Sequence, residues 1–229
     1  MDTTHPILFF KNMAEELLDN GDRYGDIIEF RNASVTINPY TISKETNQLH
    51  DSFIDIFGDR RLNWAKKVTF MEPTKQEDPF GDVEYIYECL PKDEKRDSYF
   101  GRLIGQCGGF ERNQFAHLIY RMKKRRQNAK TLHMAVYKET DIWQEMSPPC
   151  CSSINVSPRD GVLHITAVFR SMAISKAGYA DAHAVLEMGQ FLAKECEYEL
   201  GDVTLIAHTM HLRSKDGEMK KTKQFLGLE

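Results

Sequence analysis

Apolar residues recur at helical spacing from the start of the chain. Ile7, Leu8, Phe10, Met13, Leu17 and Leu18 predict a helix over Pro6 to Asp19, and Gly21 stands where it would stop. Ile27 to Ile37 changes period and reads as extended, with Val35, Thr36 and Ile37 running up to Pro39, which ends it. Lys66 to Lys95 mixes charge, proline and aromatic residues without a clean period and predicts strands and loops. Phe115, Leu118, Ile119 and Met122 share one face of a helix over Asn113 to Gln127, and the cations from Lys123 to Arg126 suit the negative end of its dipole. Leu132 to Tyr137, Val162 to Phe169 and Val203 to His208 predict strands, with a long amphipathic helix over Ala180 to Glu199 between the last two. Strands and helices do not alternate regularly, so the expected class is α+β, a mixed sheet packed against helices.

A chain of 229 residues can build one good core and contains no stretch that reads as a linker, so a single domain over 1–229 is expected. The net charge of -4 gives no overall pull toward nucleic acid or anionic membranes, and neither is an expected partner. Any anionic ligand must be met by a local cluster of donors. Met1 to His5 has no basic region followed by an apolar core, and no apolar run approaches the roughly 18 residues of a membrane span, which points to the cytoplasm. The five cysteines are odd in number and form no C-x-x-C pair, so free thiols are expected and no metal site.

Pro148-Pro149-Cys150 is followed twenty residues on by Arg170-Ser171, after the apolar run Val168-Phe169, then by Leu200-Gly201-Asp202-Val203 and by His211-Leu212. In order and spacing these segments resemble the thymidylate synthase and pyrimidine hydroxymethylase superfamily, over Tyr99 to Arg213. The resemblance implies that fold, a pyrimidine nucleoside monophosphate as substrate and methylenetetrahydrofolate as co-substrate. It makes Cys150 the nucleophile, because a thiolate can add to carbon 6 of a pyrimidine and turn carbon 5 into a carbanion equivalent. Arg170 and Ser171 would hold the phosphate, a bidentate fork beside a hydroxyl. His211 would meet the sugar. Arg23, within Asp22-Arg23-Tyr24-Gly25, resembles the family's N-terminal phosphate loop.

Asp181 decides among substrates. At its distance from Arg170 thymidylate synthases place an Asn, whose amide both donates to oxygen 4 and accepts from the ring N–H of uracil. A carboxylate cannot donate, but it accepts from the exocyclic amino group of cytosine and can share a proton with ring nitrogen 3. In this Asp the chain resembles deoxycytidylate hydroxymethylases of the phage type.

Other positions depart from the pattern. Cys151 stands where the family usually has a His, Arg213 where it has a sugar-binding Tyr, and Ala173 where an Asp binds the folate ring. The partner subunit's two adjacent arginines fall on Lys130 and Thr131, leaving one cation unless a small gap lets Arg125 and Arg126 take the role. Few residues follow His211, so the segment that closes over the cofactor is largely absent. Glu72 is a loose candidate for the N-terminal proton-relaying Glu, and Tyr99-Phe100-Gly101 resembles the family's Tyr-Gly element with one extra residue. The leading expectation is a homodimeric hydroxymethyltransferase acting on CMP or dCMP. Its alternatives are a divergent thymidylate synthase acting on a uridylate and a non-catalytic nucleotide-binding protein of the same fold.

Overall fold

The first helix begins where the sequence caps it. His5 Nδ1 accepts from the Ile7 N–H at 3.1 Å and Pro6 supplies a preset φ, giving α1 over Pro6–Asn20. At its end the Gly21 N–H donates to Leu17 O at 3.1 Å, and a Cβ on Gly21 would fall 2.5 Å from Ile28 Cγ2. Glycine is required there by the close approach of the helix end to the sheet. The computed structural model describes residues 2–3, 5–38, 44–59, 74–77, 83–86, 99–105, 112–124, 132–143, 148–215 and 217–228.

Before and after α1 come β1 (Asp2–Thr3), β2 (Asp22–Tyr24) and β3 (Ile27–Ile37), then α2 (Lys44–Phe57) and a separate antiparallel pair, β4 (Thr74–Glu77) with β5 (Val83–Ile86). Next are α3 (Tyr99–Leu103), α4 (Gln114–Lys124), β6 (His133–Ala135) and a 3-10 turn, Glu139–Trp143. The second half holds β7 (Cys151–Arg159), β8 (Val162–Phe169), β9 (Met172–Ala173), a π-helical turn at Ile174–Gly178, α5 (Tyr179–Glu195), β10 (Glu199–Arg213) and α6 (Glu218–Phe225). The main sheet runs β1-β3-β10-β8-β7-β6, with β2 beside β3 and β9 beside β10. It is mixed, since β10 lies parallel to β8 and antiparallel to β3. The fold is therefore the expected α+β arrangement.

Helix α5 is the crossover that makes β8 and β10 parallel neighbours. It lies close: a Cβ on Gly189 would sit 2.8 Å from Ile165 Cδ1 and 3.0 Å from Leu200 Cδ1. The start of α5 is braced by an aromatic cluster. Phe53 of α2 packs 4.7 Å from the Tyr179 ring and 5.0 Å from Phe10 of α1, Phe225 of α6 closes on Phe10 at 5.1 Å, and His50 Nδ1 meets the Tyr179 hydroxyl at 2.6 Å. Four helices thus converge on the turn that precedes Asp181.

Along β3 and β10 the buried positions change parity. Val203, Leu205 and Ala207 are buried with Val35 and Ile37, but farther on it is Met210 and Leu212 with Ile28. The change falls at Asn32, whose φ of +54° lies in the left-handed region that Asn tolerates. The result turns His211 off the face that carries Met210 and Leu212.

The helix at Pro6 and the strand at Ile27–Ile37 stand where the sequence places them. β10 is longer at both ends than Val203 to His208, and α5 stops at Glu195 instead of Glu199. β6 is shorter than Leu132 to Tyr137, because Val136 and Tyr137 turn their N–H groups to one carbonyl, Ser152 O, at 2.9 Å each. Lys123 pairs with Glu195 of α5, so that cation tethers two helices. Substituting Gly189→Leu drives a side chain into Ile165 and Leu200 and is expected to cost about 1–3 kcal/mol. Urea unfolding checks it, and an unchanged midpoint would mean that α5 stands farther from the sheet.

Candidate active site

Cys150 sits at the end of a turn that cannot hydrogen-bond itself through Pro148 and Pro149, which have carbonyls but no N–H. Arg170, arriving at the end of β8, supplies the donors. Its backbone N–H donates to Cys150 O at 2.8 Å, its Nε to Pro149 O at 3.1 Å and its Nη2 to Pro148 O at 2.6 Å. The same Nη2 stands 4.0 Å from Cys150 Sγ. The strand pairing of Cys151 with Phe169 brings the two segments into this register. Cys150 is half-buried, with one cation fixed beside its sulfur.

Tyr99, on α3, reaches the backbone of Cys151, next to this sulfur. Burial pushes its phenol far above the ordinary range, and the neighbouring Asp181, Cys150 and Cys151 add to that, against a hydrogen bond with the Cys151 backbone. It therefore stays protonated at neutral pH. Cys151 is buried, which pushes its thiol well up, and Asp181 adds to the effect. It donates weakly to Ser153 O at 3.9 Å and is a packed, inert neighbour. Asp181, half-buried in the first turn of α5, thus acts electrostatically on both Tyr99 and Cys151.

Beside this cluster the Ser171 hydroxyl meets His211 Nδ1 at 3.4 Å, held by the pairing of β9 with β10, in which Ala173 opposes His211. Cys150, Arg170, Asp181, Ser171 and His211 are brought together from four parts of the chain. Arg23 is not joined to them. The register Arg23 to Ile28 to Leu212 puts it on the sheet face opposite His211, where it lines a separate cavity with Leu18, Ser214, Met219 and Lys223. Lys130 and Thr131 lie outside the described residues, as do Arg125, Arg126, Glu72, Cys89 and Cys107. Ala173 is half-buried on β9 and presents no side-chain acceptor.

Against known families, the thymidylate synthase model matches residues 3–225. The chain belongs to the thymidylate synthase family. A search of curated proteins found no match. With membership comes the reaction class, one-carbon transfer onto a pyrimidine nucleotide, and the family's co-substrate is methylenetetrahydrofolate. Among the described residues no helix is long and apolar enough to cross a membrane.

Sequence reasoning named the Tyr-Gly element but gave Tyr99 no role. The signal was the aromatic hydroxyl itself, and only the fold brings it to the Cys151 backbone, within electrostatic reach of Asp181. Alkylation separates the thiols. Burial pushes Cys196 up to about 12 and raises Cys151 strongly as well, so at neutral pH iodoacetamide is expected to label Cys150 well before either. Peptide mass spectrometry over a time course reads this, and equal rates at Cys150 and Cys151 would remove the basis for choosing between them.

Proposed function

We propose that this family member hydroxymethylates carbon 5 of a cytidylate, CMP or dCMP. The observation that carries the reading is the carboxylate of Asp181 in the same small cluster as Cys150 and Tyr99. An ionised carboxylate there repels oxygen 4 of uracil, whereas it accepts from the amino group of cytosine and can share a proton taken up between it and ring nitrogen 3.

Arg170 and Ser171 receive the phosphate, Arg170 using donor capacity beyond its bonds to the proline carbonyls, and His211 the sugar. The sulfur pair of Cys150 adds to carbon 6, and the carbon 5–carbon 6 π pair shifts to carbon 5. Carbon 5 attacks the one-carbon unit and then loses its proton. Tyr99, a neutral phenol, relays that proton by accepting it as its own passes to water. Methylenetetrahydrofolate is the proposed donor, bound without a carboxylate at position 173. Loss of the carbon 5 proton expels tetrahydrofolate and leaves an exocyclic methylene; water adds to that carbon and gives up a proton, and the electron pair returning to the carbon 5–carbon 6 bond expels the Cys150 thiolate.

The test is tritium release from carbon 5 of CMP, dCMP, UMP and dUMP with methylenetetrahydrofolate. Release is expected from a cytosine nucleotide and is lost in Cys150→Ala but not in Cys151→Ala. Asp181→Asn exchanges an acceptor for a group that both donates and accepts. One mismatched buried edge costs roughly 1–3 kcal/mol, so the cytosine-to-uracil ratio of kcat/KM is expected to fall about tenfold or more. An unchanged ratio at normal total activity would detach Asp181 from the base and leave uridylate methylation as the better reading.

We also propose a homodimer in which the partner copy supplies a further cation to the phosphate, with Lys130 the candidate. Support comes from the sheet face turned away from α5, where Val168 and Ile206 stand half-buried among Thr166, Thr204 and Asn155. Sedimentation is expected to give a dimer at micromolar concentration. A monomer that binds nucleotide undiminished would refute the shared site.

A further inference from the structure

A five-residue helix does not hold its own shape in water, yet α3 fixes Tyr99 at the backbone of Cys151, next to Cys150. What fixes it is Arg102, one turn on. This guanidinium is 1% exposed and forks onto Asp141, itself 1% exposed, with Nη1 to Oδ2 at 2.7 Å and Nη2 to Oδ1 at 3.0 Å. Nη1 also donates to Val136 O at 3.0 Å, and Asp141 Oδ2 accepts the Lys138 N–H at 2.7 Å. Burial raises the Asp141 carboxyl, but the bonds from Arg102 and the Lys138 amide outweigh it and hold the group below the usual carboxylate range.

The pair connects onward to the site. Val136 and Tyr137, which precede the turn that carries Asp141, both donate to Ser152 O on β7, two residues from Cys150. A chain of short bonds therefore runs from the helix of Tyr99, through Arg102 and Val136, to the strand that begins beside Cys150, with Asp141 holding the Arg102 fork in place. Phe100 adds an edge-on contact with Phe115 of α4, at 5.4 Å between centroids. Apolar groups of the same volume would hold a buried helix as well as an ion pair does. A two-point fork differs from them in fixing orientation.

We propose that the Arg102–Asp141 pair is a positioning device that sets the Tyr99 hydroxyl at the backbone of Cys151, beside Cys150, and so governs proton transfer at carbon 5, not affinity for the nucleotide. It rests on the roles given above to Cys150 and Tyr99. Neither Arg102 nor Asp141 touches the substrate.

The deciding variant is the double substitution Arg102→Met with Asp141→Leu, which keeps the volume and removes both charges. Three quantities are read: the thermal midpoint, kcat and KM for tritium release, and the carbon-13 ring resonance of Tyr99, assigned through Tyr99→Phe. The expected result is a folded protein with KM within about threefold of wild type, kcat lower by about a hundredfold, and a displaced Tyr99 resonance. A folded double variant with near wild-type kcat overturns the proposal, and so does a loss carried by KM. If the double variant does not fold, Arg102→Lys decides, because lysine restores the charge without the fork. It is expected to lower kcat about tenfold at constant KM, and wild-type kcat would overturn the proposal. A wild-type protein that releases no tritium sinks the reaction assigned above, while an unmoved Tyr99 resonance in the variant sinks the positioning role by itself.

Discussion

Two consecutive prolines before Cys150 give its turn three carbonyls to satisfy and few donors of its own. Buried carbonyls need partners, and here one residue from another strand supplies them, with the Arg170 backbone taking Cys150 O and its guanidinium taking Pro148 O and Pro149 O. The end of β8 and the start of β7 are thereby fixed relative to each other. The cation beside the sulfur is a consequence of the bonds that shape the turn, so scaffold and chemistry cannot be varied separately at Arg170.

The rest of the site is assembled on that frame from two sides. Helix α3 brings Tyr99 across from the direction of α4 and the 3-10 turn, while α5 brings Asp181 from the aromatic cluster of Phe10, Phe53, Tyr179 and Phe225. The π-helical turn before α5 is bonded in the same way, since buried Ser175 donates to the buried Glu218 carboxylate of α6 at 2.7 Å. A π turn changes the angle at which a helix presents its first residues. The direction of Asp181 is therefore tied to a contact with α6.

Much of this was legible in the sequence, and the physical reasons for the gaps differ. The helix at Pro6 carries its own cap and stop, and β3 its own period, so local rules sufficed. The strand Cys151–Arg159 escaped because Pro158 argues against a strand. Its far part, past Asn155, has no β6 partner and tolerates proline as an edge, and Asp160-Gly161, at φ of +48° and +84°, is the hairpin signal that could have revealed it. Spacing made Cys150, Arg170, Ser171, Asp181 and His211 visible together. Arg23 was not placeable that way, because one residue of register decides which sheet face a side chain takes.

The central strand has a consequence for how the molecule comes into being. β10 is sandwiched between β8, which reaches it through the crossover, and β3, whose Thr36 meets Thr204 from 168 residues away in the chain, at 3.2 Å between hydroxyls. Pairings between such distant segments close a large loop and form slowly. The meeting of His211 with Ser171 waits for the same strand to dock. A chain still emerging during synthesis can hold the proline turn and the Cys150 thiol before it holds His211 beside Ser171, so the two ends of the candidate site come together in sequence, not at once.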